Sequence, residues 1–229
     1  MNTMRRLLLS LLLWAVGGAA WPQTAQFLST GAGDLQVPVT SIRQAGGAGT
    51  LLQQYDFSCG SAAVATLLTH HYGYPISEQA VFEEMYAGGD QPRIQKEGFS
   101  LLDMKRVLAA HGFDADGFEQ PLDKLNEANV PAIVLMNENG YHHFVVVKGL
   151  QPDRVLVGDP AQGTRALTRA AFDKNWQNGV LFVVHNRMEF ARFNLRADWR
   201  VAQRAPLGDG VNRDSMAGIS LPKLGPGDF

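Results

Sequence analysis

A single cysteine, Cys59, occurs in the 229 residues, so no intrachain disulfide can form and the fold must be stable without one. An exported protein gains little from an unpaired thiol, because a free thiol is open to oxidation and to wrong pairing. The composition alone is compatible with a buried, unreactive cysteine and with a reactive one. The sequence around Cys59 has to distinguish the two.

Other features that the sequence lacks narrow the classes of function. The formal net charge is only −2, so no global field attracts nucleic acid. There is no Gly-x-x-x-x-Gly-Lys-Ser/Thr loop, so we expect no ATP site. There is also no Cys-x-x-Cys or His-Glu-x-x-His spacing, which disfavours a zinc site, and we expect no metal and no other cofactor. Hydrophobic residues, 45% of the chain, are enough for one sizeable core.

The first twenty residues, 1–20, are typical of a secretory signal peptide. Arg5 and Arg6 precede an apolar run at residues 7–16, and the small residues 18–20 follow it at a plausible cleavage point. The run is too short to span a membrane, which takes about 20 apolar residues. We therefore expect export from the cytoplasm, and a retained membrane anchor is the less favoured interpretation.

Composition divides the rest of the chain into three parts. Residues 21–50 form an N-terminal arm with a strand candidate at 37–42, residues 51–186 a folded domain, and residues 187–229 a basic amphipathic segment with a flexible Gly- and Pro-rich tail. In the last part, four arginines recur at a helical spacing: Arg192, Arg196, Arg200 and Arg204. A solvated surface helix is the favoured interpretation, and a helix that docks on a membrane or a partner is the alternative.

Within the folded domain, helices are predicted before strands. Ser77 and Ser100 are candidate N-caps, and apolar residues recur at helical spacing after Cys59. The pattern predicts helices at residues 59–72, 77–87, 100–111, 121–126 and 168–176, and strands at residues 130–136, 143–149, 154–158 and 180–185. Helices followed by antiparallel strands indicate an α+β fold, with the helices packed on one side of the sheet.

Cys59 lies at the predicted start of an apolar helix and is followed by Gly60. The dipole and the unpaired N–H groups of a helix start favour the thiolate, which is the attacking species in nucleophilic catalysis. Gly60 would let the backbone come close to a substrate. This position is typical of a nucleophile, although the placement alone is a weak signal.

Two further residues are predicted to lie near each other at one rim of the sheet. His143 begins a strand and Asp159 ends the next one, and antiparallel neighbours bring the start of one strand beside the end of the other. The carboxylate could then hold one ring nitrogen while the other faces Cys59. His142 competes with His143, because successive strand residues point to opposite faces, and the pattern does not choose between them.

Gln53 and Gln54 precede the cysteine by six and five residues. An amide side chain there could donate a hydrogen bond to the oxyanion that forms during acyl transfer. From the residues alone, two polar loop side chains are the simpler interpretation.

Three motifs, in their order along the chain, resemble those of the bacteriocin-processing, double-glycine leader peptidases. QQYDFSCGSAA at residues 53–63 resembles the nucleophile motif of that family, in which a Gln precedes the Cys by six residues. HFVVV at residues 143–147 resembles its histidine strand, and GDPAQG at residues 158–163 resembles its Asp-Pro-Ala-x-Gly turn. The resemblance spans residues 37–185.

The resemblance implies a papain-like α+β fold and a cysteine peptidase that works by acyl transfer. It gives catalytic roles to four residues, the nucleophile, the base, the orienting acid and the oxyanion donor: Cys59, His143, Asp159 and Gln53. Three neighbours are expected to contact the substrate: Gly60, Gln54 and His142.

The chain departs from that family in two ways. Ser58 stands where the family often has Asp directly before the Cys, and no membrane domain or nucleotide site accompanies the peptidase motifs. With its predicted signal peptide, the architecture resembles the stand-alone periplasmic peptidases that accompany functional-amyloid secretion systems. This resemblance implies a polypeptide substrate, with secretion-system or amyloid components as partners and Gly-Gly as a candidate cleavage motif.

Two other functions compete with the peptidase. A peptidase-like module that only docks substrates would resemble this sequence, although the joint presence of Cys59, His143 and Asp159 argues against it. Another thiol-dependent acyl-transfer enzyme, an amidase or a transpeptidase, would use the same side chains.

Overall fold

A layer of helices packed on an antiparallel sheet makes up residues 49–202, the part of the chain that the computed structural model describes. The predicted signal peptide, the strand candidate at 37–42 and the tail after residue 202 lie outside the described residues. In chain order the elements are α1 (Cys59–Thr66), a π-helical turn (Leu67–His71), α2 (Glu78–Gly88), α3 (Gln91–Glu97), α4 (Leu101–Ala110), β1 (Ala115–Glu119), α5 (Lys124–Ala128), β2 (Ala132–Glu138), β3 (Tyr141–Leu150), β4 (Arg154–Asp159), β5 (Gly163–Thr168), α6 (Arg169–Asn175) and β6 (Val180–Val184).

The helix starts follow the predicted caps. The Ser77 side chain accepts a hydrogen bond from the Ala80 N–H at the start of α2. Ser100 and Asp103 form a reciprocal capping box at the start of α4, which satisfies two N–H groups that the helix leaves unpaired. α3 is not among the predicted helices, because the glycine pair before it indicates only the end of α2. Its own cap is Asp90, which accepts from the Arg93 N–H.

The six strands form one antiparallel sheet in the order β1-β6-β2-β3-β4-β5. β2 and β3 are joined by the turn at Asn139 and Gly140, both at positive φ, as the Asn-Gly signal predicts. The two strands that the sequence reading missed, β1 and β5, are the edges of the sheet. Edge strands need no continuous apolar run, so their hydrophobic signal is weak.

Side chains of β3 alternate between two hydrophobic cores. Phe144 and Val146 pack with α1 to α4, while Val145 and Val147 pack on the opposite face, where α5 and α6 cover the sheet. The α+β class is therefore confirmed, with the N-terminal helices on one face of the sheet. The two short later helices, α5 and α6, were also predicted, but they cover the other face, so the prediction that the helices pack on one side of the sheet is wrong for these two.

The basic segment does not form the helix that its arginine spacing predicts, as far as residue 202. Two 3-10 turns, Met188–Phe190 and Asp198–Ala202, are its helical elements in the described part. Its backbone pairs with the domain instead, because the Arg192 N–H donates to the His71 carbonyl and the Asn194 N–H to the Lys148 carbonyl. None of the helices within residues 49–202 combines the length and the apolar character that crossing a membrane requires.

Candidate active site

The nucleophile candidate lies at the start of a fully buried helix. All eight residues of α1 are buried, and its small side chains let the helix pack closely against the sheet. Cys59 is the first residue of α1, is 8% exposed and opens into a cleft. The cleft is bordered by charged and apolar side chains of α3, the α3–α4 connection, β2 and β3: Arg93, Glu97, Phe99, Leu135, His142 and Phe144.

Two opposing effects act on the Cys59 thiol. Burial raises its pKa, while backbone hydrogen bonds from Phe144, Gly60 and Cys59 itself lower it, and burial is the larger effect. The expected help from the helix start is therefore present but outweighed. The pKa lies above its ordinary value, so the thiol needs a base to take its proton.

His143 and Asp159 lie side by side at the predicted rim of the sheet. His143 Nε2 is 3.3 Å from Asp159 Oδ2, and the side chains are 2% and 0% exposed. The other ring nitrogen of His143, Nδ1, is buried and has no hydrogen-bond partner among the described residues. Cys59 and Phe144, the residue after His143, belong to the same buried cluster and border the same cleft, so the imidazole lies next in the chain to a residue that packs near the thiol.

Asp159 is held as a carboxylate. Burial raises the pKa of Asp159. Hydrogen bonds from His143 and from the Ala161 N–H, together with the charge of Arg165, lower this pKa by more than burial raises it. The resulting pKa lies below the ordinary value for an aspartate. The negative charge can therefore orient the imidazole and stabilise the imidazolium form.

His142 occupies a different environment from His143. It is exposed, lines the cleft beside Cys59, and has Nε2 3.4 Å from the Asn137 amide. Only His143 of this pair is joined to a carboxylate in the described structure. The structure thus places His142 where a substrate could touch it and His143 where a base could be oriented.

Gln53 and Gln54 also lie in different environments. Gln53 is partly buried, its Nε2 donates to the Tyr55 carbonyl over 3.1 Å, and its Oε1 is buried without a partner. Gln54 is exposed, and no hydrogen bond of its side chain is described. The structure therefore leaves Gln54 on the surface and partly buries Gln53, whose backbone N–H donates to the carbonyl of Pro160, the residue after Asp159.

Gly60 is fixed by packing. A Cβ at this position would lie 2.9 Å from Phe99 Cβ and 2.9 Å from Met104 Cε, closer than carbon atoms tolerate. Phe99 itself lines the cleft, so the missing side chain lets the wall of the cleft approach α1. The side chains that come close to the Gly60 backbone in the described structure are therefore Phe99 and Met104.

Three side chains around the site were missed from the sequence. The ring of Tyr141 stacks on His143 with centroids 5.2 Å apart, and Arg165 bonds both Asp159 and Glu138. Tyr141 precedes His143 by two positions on the same strand, so strand periodicity could have found it. Arg165 and Glu138 carry no comparable signal in the sequence. Their contact depends on the order and register of the four strands β2, β3, β4 and β5.

Comparison with known proteins identifies the family. The model of the Peptidase C39 family matches residues 49–188, more than half of the chain. The chain belongs to this family. It is therefore a cysteine-type peptidase with the papain-like fold of the family.

Two relatives in sequence agree with this assignment. The chain is 43% identical over 182 residues to the "Probable functional amyloid protease FapD" of Pseudomonas aeruginosa, which covers 79% of this chain and 80% of that one. It is 39% identical over 181 residues to the protein of the same name from Pseudomonas fluorescens, covering 79% and 80%. The crystal structure of the peptidase domain of Streptococcus ComA, a bi-functional ABC transporter, is similar with a TM-score of 0.49 and 20% identity, covering 59% of this chain and 98% of that domain.

Proposed function

We propose that this protein is an exported, periplasmic cysteine endopeptidase that cleaves a secreted polypeptide with a Cys59–His143–Asp159 triad. The observation that carries the proposal is the state of His143, which has Nε2 next to a buried carboxylate and Nδ1 buried without a partner. Burying a ring nitrogen without a hydrogen-bond partner costs free energy and is rare in folded proteins, which indicates that this nitrogen has a use in the function of the protein. Accepting the proton of the neighbouring thiol is such a use.

The chemistry is an acyl transfer in two stages. His143 Nδ1 takes the thiol proton, and the Cys59 sulfur attacks the peptide carbonyl carbon to give a tetrahedral oxyanion. The imidazolium then gives the proton to the leaving amine, and a thioester remains on the sulfur. Water, deprotonated by His143, attacks this thioester and releases the carboxylate product and the free thiol.

The oxyanion is to be held by the Cys59 backbone N–H and by Gln53. The amide of Gln53 carries two N–H donors, one of which is directed at the Tyr55 carbonyl. Nε2 is also 3.5 Å from the Asp56 carbonyl, at the limit of a hydrogen bond, so the N–H that Tyr55 does not use is available for a stronger acceptor. The proposed oxyanion contact requires no loss of the 3.1 Å bond to Tyr55.

The names of the relatives suggest the pathway. Two relatives of similar length are called functional amyloid proteases. We therefore propose that the substrate is a polypeptide of a functional-amyloid secretion pathway. Cleavage after Gly-Gly is proposed from the family resemblance. The signal peptide at residues 1–20 is proposed from the residue pattern there, and the periplasmic location from that signal peptide together with the resemblance.

The test is a comparison of protein N-termini in the periplasm and the medium of cells that carry the wild-type enzyme or a variant. Cys59→Ala and His143→Gln should abolish one set of new N-termini, because each removes a group that the acyl transfer needs. His142→Gln, the matched control for His143→Gln, should weaken substrate binding at most and should still give the same new N-termini. Mass spectrometry of the products also separates hydrolysis of a peptide bond from hydrolysis of another amide and from transpeptidation.

The results that would reject the proposal are equally definite. Full cleavage by Cys59→Ala would exclude the nucleophile. Loss of cleavage with His142→Gln but not with His143→Gln would reverse the assignment of the base. Substrate binding without any product in the wild type would favour the non-catalytic docking module.

A further inference from the structure

The Asp159 carboxylate receives more donors than the triad requires. Oδ1 accepts from the backbone N–H groups of Ala161 at 2.8 Å and Gln162 at 3.3 Å. Oδ2 accepts from Arg165 Nε at 3.0 Å and from Arg165 Nη2 at 2.8 Å. His143 Nε2 is 3.3 Å from the same Oδ2. The guanidinium therefore holds this oxygen more closely than the imidazole does.

Arg165 is itself held from the far side. Its Nη2 donates to Glu138 Oε1 over 2.5 Å, and both of these side chains are 22% exposed. Glu138 ends β2, His143 lies on β3, Asp159 ends β4 and Arg165 lies on β5, so the contact spans four adjacent strands. Charges of alternating sign thus run from the imidazole through the carboxylate and the guanidinium to the second carboxylate.

The register of the sheet explains this placement. Asp159 pairs with Gly163 across β4 and β5, so Arg165, two residues further, is the diagonal neighbour of Asp159 on the same face. Gly163 has φ of 83°, which lets β5 start immediately after the turn. The backbone pairing of β4 with β5 therefore places the Arg165 guanidinium beside the Asp159 carboxylate.

We propose that Arg165 is a positioning residue of the active site, and that Arg165 and Glu138 together set how strongly Asp159 attracts a proton to His143. Arg165 fixes the Asp159 carboxylate and cancels part of its charge. Glu138 cancels part of the charge of Arg165. The proposal rests on the proposed role of His143 as the base, and it extends the triad by two side chains.

Electrostatics gives the two side chains opposite effects on His143. The charged or titratable groups that the structure places around the imidazole are Asp159, Arg165, Glu138, the stacked Tyr141 and the thiol of Cys59. Loss of the Arg165 charge leaves two carboxylates beside the imidazolium, which stabilises it. Loss of the Glu138 charge leaves the guanidinium uncompensated, which destabilises it.

The test is a direct titration of His143 by NMR in the full chain, with the thiol removed by Cys59→Ser. The His143 signal is assigned by its disappearance in a His143→Gln variant. Arg165→Gln should move the titration midpoint of the His143 signal to higher pH and Glu138→Gln should move it to lower pH, because a nearby carboxylate favours the imidazolium and a nearby guanidinium disfavours it. Arg165→Lys, which keeps the charge, should titrate closer to the parent than Arg165→Gln does.

The outcomes separate this inference from a structural role and from the proposed function. A lower melting temperature in Arg165→Gln with an unmoved His143 pKa, or shifts of the same sign in both variants, would overturn it. If Arg165→Gln does not fold, the near-isosteric Glu138→Gln decides, and an unmoved pKa there overturns the inference. Cleavage by Cys59→Ala would reject the proposed function and would not alter the titration result.

Discussion

The backbone N–H of Gln53 donates a hydrogen bond of 2.9 Å to the backbone carbonyl of Pro160. This bond joins the loop before Cys59 to the turn that follows Asp159. Two of the three sequence motifs are thereby connected directly, although more than a hundred residues separate them. Because both partners are backbone groups, a substitution of the Gln53 side chain leaves the connection intact.

Gln53→Ala should therefore test the amide alone. Removal of one oxyanion donor typically lowers kcat by about 10²–10³-fold, and we expect a loss of that order with the fold preserved. The measurement is the initial rate of cleavage of the substrate found in the comparison of N-termini. Gln54→Ala is the matched control and should lower the rate far less than Gln53→Ala, because a substrate contact of the exposed Gln54 side chain would not stabilise the oxyanion. Equal effects of the two substitutions would contradict the role of Gln53.

Gly60→Ala should destabilise the protein by about 1–3 kcal/mol, because overpacking a tight core costs that much. The added methyl group would lie 2.9 Å from both Phe99 Cβ and Met104 Cε. Urea unfolding followed by circular dichroism measures the difference. Gly88→Ala is the control, since a Cβ there meets nothing within 4 Å, and it should stabilise α2 by up to about 1 kcal/mol. A neutral Gly60→Ala would show that the close contact relaxes freely.

Stability should fall as the pH falls because of a buried histidine outside the active site. His71 is 0% exposed, and its Nδ1 lies 2.6 Å from the Arg192 carbonyl, so that nitrogen carries the hydrogen. Burial lowers the pKa of His71 from 6.5 to about 3. Between about pH 6.5 and pH 3, His71 therefore binds a proton in the unfolded chain but not in the folded one. Stability from the neutral ring is present above about pH 6.5 and is lost as the pH falls towards 3, by about 1.4 kcal/mol per unit.

Urea unfolding between pH 7 and pH 4 measures this loss. His71→Asn is the matched variant, because its amide can still donate to the Arg192 carbonyl but has no group that titrates in this range. The variant should be less stable at pH 7, and its stability should depend less steeply on pH than that of the wild type. Identical slopes would show that His71 does not cause the acid sensitivity.

The sequence predicted the local features of this fold well. The caps at Ser77 and Ser100 depend on residues within the first turn of each helix, so their signals are complete in a short window. The edge strands β1 and β5 were missed because an exposed edge lacks an apolar run. The basic segment after residue 186 was read as a helix from its arginine spacing, but in the described part its backbone bonds to the domain.

In the active site, too, some features follow from the sequence and others depend on the tertiary structure. The three motifs and their order supplied Cys59, His143, Asp159 and Gln53, and the hairpin argument predicted that His143 and Asp159 would meet, which they do at 3.3 Å. The sequence could not show that burial outweighs the helix start at the Cys59 thiol, because that balance depends on what covers the sulfur.

By itself, the sequence determined the family, the α+β class and the residue types of the proposed triad, because these depend on local pattern and motif order. Tertiary structure alone decided that Arg165 on one strand and Glu138 on another would meet beside Asp159. Such a meeting is fixed by strand order and register, and these are set by the packing of the whole sheet.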